Sequence, residues 1–302
     1  MTNRLAERIP PLDAEVATAL AHGQFGDPFS ALGPHRGPDG RFVRVFLPGA
    51  KSIAVLQGER RERTELTARE PAGLFEGAIG DGSYLLSISW PGGEQVTEDP
   101  YSFGPLLGEL DLHLIGEGRH QRLADALGSN LVTVDGVNGV RFAVWAPNAR
   151  RVSVIGAFNS WDGRRHVMRR RGGSGIWELF IPRLGNGELY KYEIVDRHGH
   201  VLPQKADPVA RTAEPQPGTA SVVPRPPSHV WRDGEWMSSR GTRQNEAAPI
   251  TIYEIHASSW TRGPNGTTLD WRGLAERLVP YVKEMGFTHV ELMPVEIGRA
   301  HV

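Results

Sequence analysis

The chain has 302 residues, a net charge of −1, 39% apolar and 23% charged side chains, and no cysteine. The near-neutral balance argues against nucleic acid or an anionic membrane as partner, and the missing cysteine excludes disulfides and thiol chemistry. No run reaches the 18 apolar residues of a membrane span. The first 25 residues, with Arg4, Glu7, Arg8 and two prolines, lack the apolar core of a secretory signal, so a cytoplasmic setting is expected. The length suits about two domains, and 36 glycines with 23 prolines suit short strands and many turns.

Asp13 is placed to cap a helix running to about His22. An internal repeat follows. Arg41-Phe42-Val43-Arg44-Val45-Phe46-Leu47-Pro48 matches Arg141-Phe142-Ala143-Val144-Trp145-Ala146-Pro147, with Pro48 answering Pro147. Gly73-Leu74-Phe75-Glu76 answers Gly175-Ile176-Trp177-Glu178, Gly82 answers Gly187, and Asp99-Pro100 answers Asp207-Pro208. The order is kept while the offset drifts from 99 to 108, as small loop insertions produce. In the second copy Phe142, Val144 and Ala146 share a face, as do Val152 and Val154, Trp177, Leu179 and Ile181, and Tyr190, Tyr192 and Ile194. Period-two runs of this kind predict half-buried antiparallel strands in two tandem immunoglobulin-like β-sandwiches.

Between the copies, Asp111–Ile115 and His120–Leu127 read as short helical pieces ending at Gly128. After the second copy, Pro224 opens a polar stretch to Pro249 that reads as a linker, with Trp231 and Trp236 suited to docking on a domain. Thr251–His256 is a compact strand. Thr268 or Asp270 can cap a helix whose Leu274, Leu278 and Val282 share one face, widened by Ala275 and Val279. Pro280 should kink that helix or cost it a hydrogen bond, Gly286 closes it, and Thr288–Pro294 is the next strand. This β-α-β unit predicts the truncated start of a (β/α)8 TIM barrel.

Several runs carry a resemblance. They are Asp27-Pro28-Phe29, Glu98–Pro105, Leu110–Gly118, Phe142–Ala149, Phe158-Asn159-Ser160-Trp161-Asp162-Gly163-Arg164-Arg165-His166, Trp231–Met237, Ile252–His256 and Gly286–Pro294. Together they resemble the N-terminal part of bacterial 1,4-α-glucan (glycogen) branching enzymes, of the α-amylase superfamily, and cover the chain to about Val295. The implied organisation is a first sandwich with flanking helices over 1–127 and a second, similar to family 48 carbohydrate-binding modules, over 128–225. A linker over 226–249 and the barrel start over 250–295 follow. The tail Ile297–Val302 departs from the family: the DNA ATCGGAAGAGCACACGTC encodes it and resembles a sequencing adapter, so 296–302 is expected to be artefactual.

The resemblance implies a monomeric glycosyltransferase that cuts α-1,4 links in glycogen and rejoins the chain as α-1,6 branches, with no cofactor or metal. Retaining chemistry needs a carboxylate nucleophile and a carboxylic acid about 5–5.5 Å apart. In this family these lie on later strands, expected downstream of Val302, so no catalytic residue is assigned and the fragment is expected to be inactive. Glu254 and Glu291 read as bonded or bottom-face strand residues. His256 is a possible barrel-mouth contact or a packed core histidine. Carbohydrate-binding candidates, on the module's pattern, are Trp161 as a stacking platform, Lys191 as a hydroxyl partner, and Trp177 as a second platform. Trp161 could instead pack between domains, and the alternation around Trp177 also reads as core. Asn159 and Asp162 read as turn formers, and Arg164-Arg165 and Arg169-Arg170-Arg171 as a solvated face. Competing readings are a non-catalytic α-glucan-binding protein and a sister debranching or trehalose-releasing hydrolase.

Overall fold

The structure is a computed structural model; it describes residues 9–226, 229–293 and 295. The chain divides into two compact units, Met1–Pro227 and Ser228–Val302. Pro294 and the tail 296–302 lie outside the described residues.

In the first unit α1 (Ala14–Ala21) is capped as its sequence implies: the Asp13 carboxylate accepts from the amides of Glu15 at 2.8 Å and Val16 at 3.2 Å. After α2 (Pro28–Ala31) come eight strands: β1 (Gly33–Gly37), β2 (Gly40–Phe46), β3 (Ser52–Gln57), β4 (Glu62–Glu65), β5 (Thr67–Arg69), β6 (Leu74–Ile79), β7 (Tyr84–Trp90) and β8 (Gly93–Thr97). They form two antiparallel sheets, ordered β1-β2-β6-β5 and β4-β3-β7-β8. A connecting segment carries α3 (Glu109–Gly116) and α4 (Leu123–Ala126). The second sandwich has β9 (Gly128–Val134), β10 (Val137–Trp145), β11 (Ala149–Gly156), β12 (Arg169–Arg170), β13 (Ile176–Pro182), β14 (Leu189–Asp196) and β15 (Ser221–Val222). Its sheets are ordered β12-β13-β10-β9 and β11-β14-β15.

The repeat is visible in this topology. The order β1-β2-β6-β5 recurs as β9-β10-β13-β12, and the β3-β7 pair recurs as β11-β14. Matched residues also do matched work. Gly73 (φ +98°) and Gly175 (φ +76°) each lie so close to the matched proline that a Cβ would stand 2.8 Å from Pro48 or Pro147. Tyr84 donates to buried Asp99 at 2.7 Å, and Tyr190 and Tyr192 donate to Asp207 at 2.7 and 3.1 Å. Each aspartate also accepts an amide two residues on, Tyr101 and Val209, both at 2.9 Å. Each copy buries one glutamate. Glu76 is held by Arg44 at 3.0 Å and Arg69 at 2.8 Å; Glu178 is held by Arg171 at 3.0 Å.

One expectation changes. The strands of the second copy are not all half-buried: every residue of β13 is buried. Trp177, Leu179 and Ile181 face the inner core, as their alternation implies. The other face is covered by the segment between the sandwiches, with Leu107, Ala126 and Leu127 packing on Ala143 and Ile176. Phe103 meets Phe180 edge-on at 4.7 Å. Glu178, 1% exposed, lies under this cover and accepts the amides of Leu106 at 3.0 Å and Leu107 at 2.9 Å. The inner core is shared between the copies: Leu20, Leu32, Phe46, Leu74 and Tyr101 join Phe142, Val154, Trp177 and Tyr190 in one cluster.

In the second unit the expected linker contains a helix, α5 (Gly234–Arg243). Trp231 is 75% and Trp236 42% exposed, so within this unit neither is docked as expected. β16 (Ile252–Ile255) pairs in parallel with β17 (His289–Leu292) across α6 (Trp271–Glu284), giving the expected β-α-β unit. Asp270, not Thr268, caps α6 through the Gly273 amide at 2.7 Å. Leu274, Leu278 and Val282 pack with Ile255, while Ala275 and Val279 are exposed rather than widening that face. Helix α6 runs through Pro280, which sits on its exposed side where water can serve the carbonyl it leaves unpaired.

Two stability outcomes follow from the buried carboxylates. Glu178→Ala takes the buried carboxylate from Arg171, which keeps only the Leu107 carbonyl and the exposed Glu109, and leaves two amides unmet, so it should lower the unfolding free energy by roughly 3 kcal/mol in urea titrations. Burial raises Asp99 from 3.8 to about 6, against the opposing hydrogen bonds of Tyr84 and the Tyr101 amide. Its folded pKa exceeds its unfolded one, so its contribution is complete below about pH 4 and is lost as pH rises through about 6. Asp99→Asn should gain on the parent by roughly 3 kcal/mol between those pH values, and a pH-independent difference would refute the assignment.

Candidate glycan-binding site

The Phe158–Gly163 loop grows out of the end of β11. A single 3-10 turn, Ala157–Asn159, is followed by two residues in left-handed backbone, Ser160 (φ +58°) and Trp161 (φ +59°). That conformation is uncommon for any non-glycine residue and an outlier for a bulky one. Asn159, 1% exposed, lies beneath it. Its Oδ1 accepts the Gly156 amide at 3.0 Å, which leaves Nδ2 to donate to the Val154 carbonyl at 2.8 Å and to His166 Nδ1 at 2.9 Å. The Trp161 amide closes the loop on the Gly156 carbonyl at 2.9 Å. Trp161 itself is half-buried. Both turn-forming roles expected of Asn159 and Asp162 are present: Asp162 accepts from the Arg164 amide at 2.9 Å and from its guanidinium at 2.7 Å. Burial works to raise the Asp162 carboxyl, but these Arg164 contacts outweigh it and hold it below the usual carboxylate range.

The far end of the loop is pinned by a pair that sequence reading does not find. Arg151, buried on β11, donates to Ser153 Oγ at 2.8 Å, to the Gly163 carbonyl, and to Glu193 on β14. Gly163 lies directly on Glu193, where a Cβ would stand 1.9 Å from its Oε1, so glycine is required there by close approach. An arginine ahead of Val152 carries no local signal of its partner 42 residues away. His166 is the other missed residue. Burial, then the charge of Arg165, pushes it down to about 4, so it is the neutral imidazole whose Nδ1 can accept from Asn159.

Lys191 lies opposite Ile155 on β14, and strand alternation puts it on the same face as Glu193. Its Nζ donates to Thr219 Oγ1 at 2.7 Å. Trp161 and Lys191 therefore belong to the same strand pair, one on the loop that leaves it and one on its surface. Trp177 does not join them. Its ring is 2% exposed and its Nε1 donates to the Ala146 carbonyl at 3.1 Å, so it can offer no face to a sugar and serves as core.

The arginine run is also a correction. Arg169 donates to the Phe103 carbonyl and lies 3.5 Å over the Phe29 ring. Arg171 bonds Glu178 and the Leu107 carbonyl, and Arg165 bonds the Pro48 carbonyl at 2.6 Å and covers Trp90 at 4.6 Å. These side chains join segments; of Arg169–Arg171 only Arg170 is exposed.

In the second unit His256 is exposed, neither core nor enclosed, and its Nδ1 meets Ser259 Oγ at 2.9 Å. Glu254 and Glu291 are register partners on β16 and β17, both exposed. Among the described residues no cluster of three His, Asp or Glu could hold a metal ion, and no helix is long and apolar enough to cross a membrane.

Each of the two sandwiches matches a known family. Residues 126–210 match carbohydrate-binding module 48 (isoamylase N-terminal domain). Residues 13–101 match the N-terminal domain of the alpha-1,4-glucan branching enzyme GlgB. The chain is 56% identical over 98% of its length to 1,4-alpha-glucan branching enzyme GlgB 1 of Xanthomonas campestris pv. campestris, covering 40% of that protein. It is 56% identical over 93% of its length to the Pseudomonas fluorescens enzyme, covering 39%. A pullulanase structure from Anoxybacillus sp. LM18-11 shares 20% identity over 84% of this chain and 36% of that one, with a TM-score of 0.37, too low to support a structural argument. Along almost its whole length the chain is similar to the N-terminal region of 1,4-alpha-glucan branching enzymes, and it spans about 40% of the length of the curated relatives it matches.

Proposed function

We propose that the protein is a cytoplasmic branching glycosyltransferase of glycogen synthesis, and that its second sandwich docks α-1,4-glucan on Trp161 with Lys191 as hydroxyl partner. The observation that carries the docking is the loop itself: a half-buried tryptophan held in left-handed backbone beside a lysine-bearing strand. Sugar rings stack on aromatic faces, and a cation or amide nearby fixes their hydroxyls. The duplicated sandwich and the identity with named branching enzymes support branching over a debranching or trehalose-releasing reaction. The parallel β-α-β unit supports a TIM-barrel enzyme rather than a purely binding protein. Glu254 and Glu291 stay structural on this reading. On this reading none of the described carboxylates is assigned a catalytic role.

The protein expressed from its gene's full reading frame should lower the iodine absorbance of amylose without a proportionate release of reducing ends; proportionate release would point to hydrolysis. For the docking surface, Trp161→Ala should weaken glycogen binding in affinity electrophoresis by about ten-fold, the worth of one stacking contact near 1.4 kcal/mol. Unchanged mobility would remove Trp161 from the site.

A further inference from the structure

We infer that Asn159, with His166 behind it, is a positioning residue for glucan: it holds Trp161 in the conformation that presents its ring. This inference rests on the reading of Trp161 as a stacking platform and goes beyond it by assigning what sets that platform's affinity. Three observations carry it. Asn159 does not reach solvent, so its action is through its bonds to Gly156, Val154 and His166, which clamp both arms of the loop. The next two residues, Ser160 and Trp161, take left-handed backbone that L side chains rarely adopt and that persists only when the surroundings enforce it. Finally, the first sandwich achieves the matching strand order without this clamp or two consecutive left-handed side-chain-bearing residues. There β3 passes to β4 through Gly58–Arg61, a turn with no asparagine, histidine or tryptophan, in which Arg61 alone among the non-glycine residues takes left-handed backbone (φ +51°). The clamp is therefore an addition to the second copy rather than a requirement of the fold, and what it adds is a fixed ring.

The test uses the whole chain and glycogen as the probe, read by affinity electrophoresis at a temperature where every variant is folded. Asn159→Ala should weaken binding by about ten-fold, as Trp161→Ala does, because the ring is present but no longer held. His166→Phe keeps the volume and removes the acceptor, and should weaken binding by about five-fold; it serves if Asn159→Ala fails to fold. Ile53→Val, in the core of the first sandwich, lowers the melting temperature but should leave glycogen affinity at the parent's value, separating positioning from general stability. Parent-like affinity in Asn159→Ala or His166→Phe, with Trp161→Ala weakened, overturns the positioning role and leaves the platform intact. Loss of affinity in Ile53→Val equal to that in Asn159→Ala overturns it as well, and parent-like affinity in Trp161→Ala overturns both.

Discussion

A carboxylate taken out of water must be met by donors, and the first unit is organised around that demand. Ionised groups are rarely buried unless paired, because losing hydration costs several kcal/mol per ion. Glu178 sits in the outer face of β13 and is met by Arg171 together with the amides of Leu106 and Leu107. Those two amides belong to the segment between the sandwiches. Satisfying the glutamate therefore also fixes the cover over β13, and with it the packing of Leu107, Ala126 and Leu127 on Ala143 and Ile176. The first copy uses the same device through Glu76, Arg44 and Arg69. Duplication has preserved the pairing as well as the strand order.

The candidate glycan site is built by the same economy of polar groups. Its two ends are clamped by buried bonds, Asn159 at the start and Arg151 with Glu193 at Gly163. Between the clamps, Ser160 is exposed and Trp161 half-buried. The rigid base lets two residues hold a conformation they would not choose alone. The second unit is less enclosed. Its core of Ile255, Leu274, Leu278 and Val282 covers one side of the β16-β17 pair, while Ile252, Val290 and Leu292 remain exposed.

Much of this was legible in the residues. The period-two runs located the strands, Asp13 located one helix start and the choice of Thr268 or Asp270 bracketed another, and the drift of matched prolines, glycines and aspartates located the duplication. Reading failed where a partner is remote in sequence. The arginines of 164–171 looked like a solvated face because charge alone says nothing of the carbonyls and rings they meet. The stretch around Trp236 looked like linker because its polar, serine- and arginine-rich composition hides a short helix.

The sequence by itself determined the local choices: which residues form strands, where turns need glycine or proline, and that the sandwich was copied. The first two depend on neighbours within a few positions, and the copy shows because like residues recur in the same order about a hundred positions on. Tertiary structure decided which faces of those strands are covered, that Trp177 is core while Trp161 stands on a loop, and that Arg151 meets Glu193. Those outcomes depend on contacts between residues tens of positions apart, and a one-dimensional pattern does not carry the geometry that brings them together.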